Sequence, residues 1–60
     1  SLGRYEEAID LFKRAIEIDP RGAIYYFYIG ITYQRMGKPD EGQTWLNKSY
    51  ALDPKLRPKK

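Results

Sequence analysis

Two stretches of this sequence, Gly3 to Pro20 (GRYEEAIDLFKRAIEIDP) and Gly37 to Pro54 (GKPDEGQTWLNKSYALDP), lie 34 residues apart, and laying one over the other decides the fold. Gly3 falls on Gly37, Arg4 on Lys38, Glu7 on Glu41, Ala8 on Gly42, Phe12 on Leu46, Arg14 on Lys48, Ala15 on Ser49 and Ile18 on Leu52. Both copies close on Asp-Pro, at Asp19-Pro20 and Asp53-Pro54. Self-similarity at a fixed period of about 20 to 50 residues marks an array whose units bury their apolar faces against one another. One structural element is therefore used twice, with a different one between the copies.

Each copy reads as a helix. In the first, Tyr5, Ala8, Ile9, Phe12, Ala15 and Ile16 form a single stripe at helical spacing, which predicts a helix over about 4–18. Glu6, Glu7 and Asp10 precede Lys13 and Arg14, the order that suits the helix dipole, and Asp10 and Arg14 form an i, i+4 pair. The second copy places Pro39 at a first helical position, where its missing N–H costs nothing, followed by Asp40 and Glu41; the helix runs over about 39–52. Gly42 costs about 1 kcal/mol against alanine inside a helix, so its presence predicts a closely approaching neighbour.

The stretch between them, Ala23 to Met36, is apolar or aromatic in nearly every direction around a helix. Its β-branched and aromatic content tolerates a strand reading. A lone strand between two helices would have no partner, however, and the run has helical length, so a helix is predicted over about 23–36. A helix apolar all round must be covered on more than one side. Pro20-Arg21-Gly22 and Gly37-Lys38-Pro39 leave connections of about 2 to 4 residues, which make successive helices antiparallel neighbours.

Helix, turn and helix at this period resemble the tetratricopeptide repeat (TPR) family. Tyr26, Ile29, Gly30 and Tyr33 stand at the spacing where that family usually carries Trp, Leu, Gly and Tyr. Gly42, Leu46 and Pro54 follow in its second helix, and Ala8, Phe12 and Pro20 match the same positions one repeat earlier. Tyr26 replaces the commoner Trp, and Gly42 and Ser49 stand where alanine is usual. The resemblance implies an all-α fold of antiparallel hairpins in a right-handed superhelix, covering about one and a half repeats. Residues 1–20 would be the second helix of an incomplete repeat, 21–54 one complete repeat, and 55–60 a basic, disordered tail.

Composition narrows the chemistry. The 60 residues contain no cysteine and no histidine, which removes Cys/His zinc sites, Ser-His or Cys-His nucleophile pairs and disulfides. The net charge of +3 belongs to the tail, because Lys55, Arg57, Lys59 and Lys60 are four of the eleven bases and leave seven against eight acids before them. No basic patch marks the body for nucleic acid, and no aromatic residue interleaves the tail. No run is long enough to span a membrane. The absence of cysteine fits an intracellular, cytoplasmic setting. Glu6, Glu7 and Asp10 are read as a helix N-terminal charge cluster, and Asn47-Lys48-Ser49 as a chance sequon inside a helix. No catalytic residue, metal site or cofactor is assigned.

The resemblance implies peptide or helix binding on the concave surface lined by the first helix of each repeat. With Tyr26, Ile29, Gly30 and Tyr33 packed inward, the opposite stripe is Ile24, Phe27, Tyr28, Ile31, Gln34 and Arg35, which is expected to take a protein partner through a mainly apolar face. One subset of the family clamps a carboxylate with Lys and Asn side chains; Phe27, Tyr28 and Ile31 stand at those places here, leaving Arg35 as the nearby anion donor. Trp45 and its counterpart Leu11 are a second candidate interface, read first as packing between helices. The alternative is that these faces drive homo-oligomerisation. Repeat stacks rest on their neighbours, so the isolated stretch is expected to self-associate over its open ends.

Overall fold

The computed structural model describes residues 2–59, and the side chains of 3–59. Three helices follow one another: α1 (Leu2–Ile18), α2 (Ala23–Arg35) and α3 (Pro39–Leu52), with a short 3₁₀ turn at Pro54–Leu56. No strand occurs among the described residues, so the all-α reading holds and the strand alternative for residues 23–33 is gone. Central α2 packs on both neighbours, more extensively on α3 than on α1.

The boundaries follow from local chemistry. Helix α3 begins on Pro39 and ends before Asp53, as the sequence predicts. Helix α1 begins at Leu2, two residues earlier than expected, because nothing in Leu2-Gly3-Arg4 breaks it and Gly3 does not take a positive φ. Helix α2 stops one residue early. Gly37 adopts φ 82°, the left-handed region, and two bonds close the end: Gly37 N–H donates to Gln34 C=O at 3.0 Å and Lys38 N–H to Tyr33 C=O at 2.9 Å. This is the Schellman pattern, which makes Met36 the cap residue rather than the last helical one.

The repeat is visible in the hydrogen bonds. Asp19 N–H donates to Ala15 C=O at 2.8 Å and, 34 residues later, Asp53 N–H donates to Ser49 C=O at 2.9 Å. Beyond Asp53 the chain makes a 3₁₀ turn at Pro54–Leu56. The Asp53 carboxylate accepts from Lys55 N–H at 3.1 Å, and the Arg57 guanidinium lies 5.4 Å from the centre of the Tyr50 ring. Lys60 lies outside the described residues.

The core sits around α2. Among the described residues its buried apolar members are Ile9, Ala23, Ile29, Leu46 and Tyr50, and Ile29 and Ser49 are the largest side chains enclosed completely. Ser49 satisfies its hydroxyl within α3 by donating to Leu46 C=O at 2.7 Å. Gly30 and Gly42 form the closest approach. A Cβ on Gly30 would stand 2.8 Å from Gly42 O and 2.7 Å from Leu46 Cγ, and one on Gly42 would stand 2.6 Å from Gly30 O. The small-residue contact expected from Gly42 is therefore a mutual one, backbone against backbone.

Candidate interaction surface

With α1 on one flank and α3 on the other, one side of α2 remains open. Ile24 and Tyr28 on it are 39% and 45% exposed, while Phe27 and Ile31 are half-buried. Arg35 is exposed in the last turn and is the only charged residue of α2. Gln34, which the sequence places in the same stripe, stands apart from it. Its Cγ lies 2.7 Å from where a Cβ on Gly42 would be, so the stem of its side chain leans towards α3. The spacing carried a signal for this: Gln34 is one turn beyond Gly30 and so lies over the same neighbour.

An aromatic row leads onto the open side. Phe12 of α1 and Tyr28 stack with ring centres 5.5 Å apart and planes at 29°. Phe27 meets Tyr28 edge-on at 6.0 Å and 67°. Tyr28 is thus fixed against α1 by one face while still nearly half exposed. The sequence assigns Phe12 to the core and Tyr28 to the open stripe without joining them, since nothing local links residues 16 positions apart on different helices.

Trp45 occupies another place. It is half-buried between helices, 5.9 Å from the Tyr26 ring, with Lys48 Nζ 4.7 Å and Lys13 Nζ 5.6 Å from its ring centre. Ammonium groups at such distances are attracted to the negative face of an indole. Tyr26 in turn donates its hydroxyl to Pro20 C=O at 3.0 Å, tying the α1–α2 turn to α2. Leu11 is 63% exposed, and with Glu7, Asp10 and Arg14 it lines a shallow groove of ≈ 300 Å³ on α1. A second cleft of ≈ 270 Å³ lies between α1 and the α2–α3 corner, lined by residues including Ile9, Lys13, Tyr33, Met36 and Glu41. Neither includes a residue of the α2 stripe, which is an open surface rather than a cavity.

Among the described residues no group of three or more acidic, His or Cys side chains is placed to hold a metal ion. No described helix is long and apolar enough to cross a membrane.

A turn-linked pair of antiparallel helices, preceded by the partner-type helix 34 residues earlier, defines an α-helical repeat module. The family profile described as "TPR repeat" matches residues 1–37, and that described as "Tetratricopeptide repeat" matches residues 23–56. The chain belongs to the tetratricopeptide repeat family and holds about one and a half repeats. Repeats of this family generally mediate protein–protein interaction. No solved structure matches the chain.

Proposed function

We propose that this chain is a non-catalytic interaction scaffold that seats a peptide or partner helix along Ile24, Phe27, Tyr28 and Ile31, with Arg35 at the end of the track. The observation that carries this reading is the partial exposure of four neighbouring apolar side chains on α2 after both flanking helices have packed. Positions 24, 27, 28 and 31 repeat at helical spacing, which suits a ligand that supplies apolar anchors one turn apart. The ring pair of Phe12 and Tyr28 stiffens one edge of the track, so less side-chain freedom is lost on binding. The cysteine-free composition is consistent with an intracellular setting.

The test is a displayed random-peptide selection against the wild-type chain and against the Phe27→Lys/Ile31→Lys double variant, with helicity checked by circular dichroism. Peptides with apolar residues three and four apart are expected to enrich on the wild type and to lose about tenfold or more in affinity on the folded double variant. Equal binding to both would sink the proposal. If light scattering showed an oligomer that the same double variant dissolved, the stripe would serve self-assembly instead.

A further inference from the structure

Lys13 and Lys48 stand 35 positions apart in the chain, on α1 and α3, and the fold brings both ammonium groups to one side chain. Lys48 Nζ lies 4.7 Å and Lys13 Nζ 5.6 Å from the centre of the Trp45 ring. The ring is held against Tyr26 of α2, 5.9 Å away, whose hydroxyl is fixed on Pro20 C=O. An indole attracts cations through its quadrupole but carries no charge, so it neutralises neither of them. No carboxylate does so instead. Among the described residues neither ammonium forms an ion pair, although Asp10 and Glu17 stand one turn from Lys13; the same positions around Lys48 are Thr44, Trp45, Ala51 and Leu52, none of them acidic. The Trp45 Nε1–H is likewise neither buried nor hydrogen-bonded among the described residues. Three groups that can only donate therefore meet at one spot, with no acceptor among them.

We propose that the Lys13–Trp45–Lys48 cluster is an anion site that takes a phosphate monoester. Charge and donor count choose the ligand. Such a group carries about −1.5 to −2 charge at pH 7 and three acceptor oxygens, against two cations and one N–H; a carboxylate brings a single charge and two oxygens. Hydrogen bonds between ionised partners are the strong ones, and the two ammonium groups supply them from two different helices. A phosphorylated side chain of a partner protein and a free small phosphate ester present the same chemistry, and the test separates them. The cluster includes no residue of the α2 stripe, and the inference does not rest on that stripe's role.

Trp45 is the only tryptophan of the chain, so its indole N–H gives a single NMR cross-peak that reads the site directly. The probes are the peptide acetyl-Gly-phosphoserine-Gly-amide, the same peptide with serine or glutamate at the centre, and inorganic phosphate, all titrated into the isotope-labelled full chain at constant ionic strength. The phosphopeptide is expected to move that cross-peak saturably, with half-saturation below about 3 mM, and the serine peptide to leave it in place. Lys13→Gln and Lys48→Gln, each still helical by circular dichroism, should weaken binding by about fivefold or more. Arg14→Gln removes the same charge from α1 away from Trp45 and should stay within about twofold. Tighter binding of the phosphopeptide than of inorganic phosphate would support a phosphorylated partner, and equal binding a free phosphate ester. A higher half-saturation for both, an equal response to the glutamate peptide, or a loss from Lys48→Gln no greater than that from Arg14→Gln would overturn the inference.

Discussion

At the scale of single residues, the glycines separate cleanly by what surrounds them. Gly42 and Gly30 are needed for space: a methyl group on either runs into the other's carbonyl oxygen, which cannot rotate away as a side chain would. Overpacking of this kind costs about 1–3 kcal/mol, against a helix-propensity gain of about 1 kcal/mol for replacing glycine by alanine. Gly42→Ala is therefore expected to destabilise the chain, by up to about 2 kcal/mol in urea unfolding. A Cβ on Gly3 would meet nothing within 4 Å, and Gly3 lies in α1 without positive φ, so Gly3→Ala should stabilise, by about 0.5 kcal/mol. Opposite signs for these two helical glycines are the check; a stabilising Gly42→Ala would remove the backbone contact from the account. The Gly42 contact was legible in the sequence because a helical glycine needs a reason. The double role of Tyr28 was not, since its partner Phe12 has an aliphatic counterpart in Leu46 and the repeat therefore carries no trace of a ring pair.

At the scale of elements, punctuation decides what can be read. Helix α3 was legible at both ends because Pro39 fixes its first turn and Asp53-Pro54 stops it. The start of α1 was not, as nothing in Leu2-Gly3-Arg4 breaks a helix, and the 3₁₀ turn after Asp53 rests on short-range bonds, Lys55 N–H to the Asp53 carboxylate, Leu56 N–H to Asp53 C=O and Arg57 N–H to Pro54 C=O, that composition alone does not reveal. The α2–α3 corner is the element most exposed to test. Gly37 has open space where a Cβ would go, so substitution there is opposed by backbone conformation alone, at φ 82°. Gly37→Ala is expected to cost about 1–2 kcal/mol, the usual penalty for an L-residue in the left-handed region. Gly37→Asn should cost less, because asparagine tolerates that region. Denaturant midpoints ordered wild type, Asn, Ala would support the reading, and equal midpoints for Asn and Ala would show that the corner relaxes out of the Schellman geometry.

At the scale of the whole molecule, the Cα envelope measures 30 × 29 × 13 Å, so the three helices form a slab little more than one helix thick. A slab has two broad faces and little interior. Chains of this length bury only about 60% of their unfolded surface, and at about 0.05–0.15 kcal/mol per residue the total stability is about 3–9 kcal/mol. The same thinness that leaves the α2 stripe partly exposed concentrates stability in a few side chains. Among the described residues Ile29 is the largest apolar side chain enclosed completely, in the helix that touches both others. Truncating a buried isoleucine to alanine costs about 2–5 kcal/mol, a large part of everything available here. Ile29→Ala is thus expected to leave the chain largely unfolded at about 37 °C, seen as loss of helical circular dichroism and of the cooperative melt. Leu11→Ala, equally apolar but 63% exposed, should change the melting midpoint little. A folded, cooperative Ile29→Ala chain would mean that stability is not concentrated at the slab's centre, and that the exposed faces contribute to it through contacts with other chains.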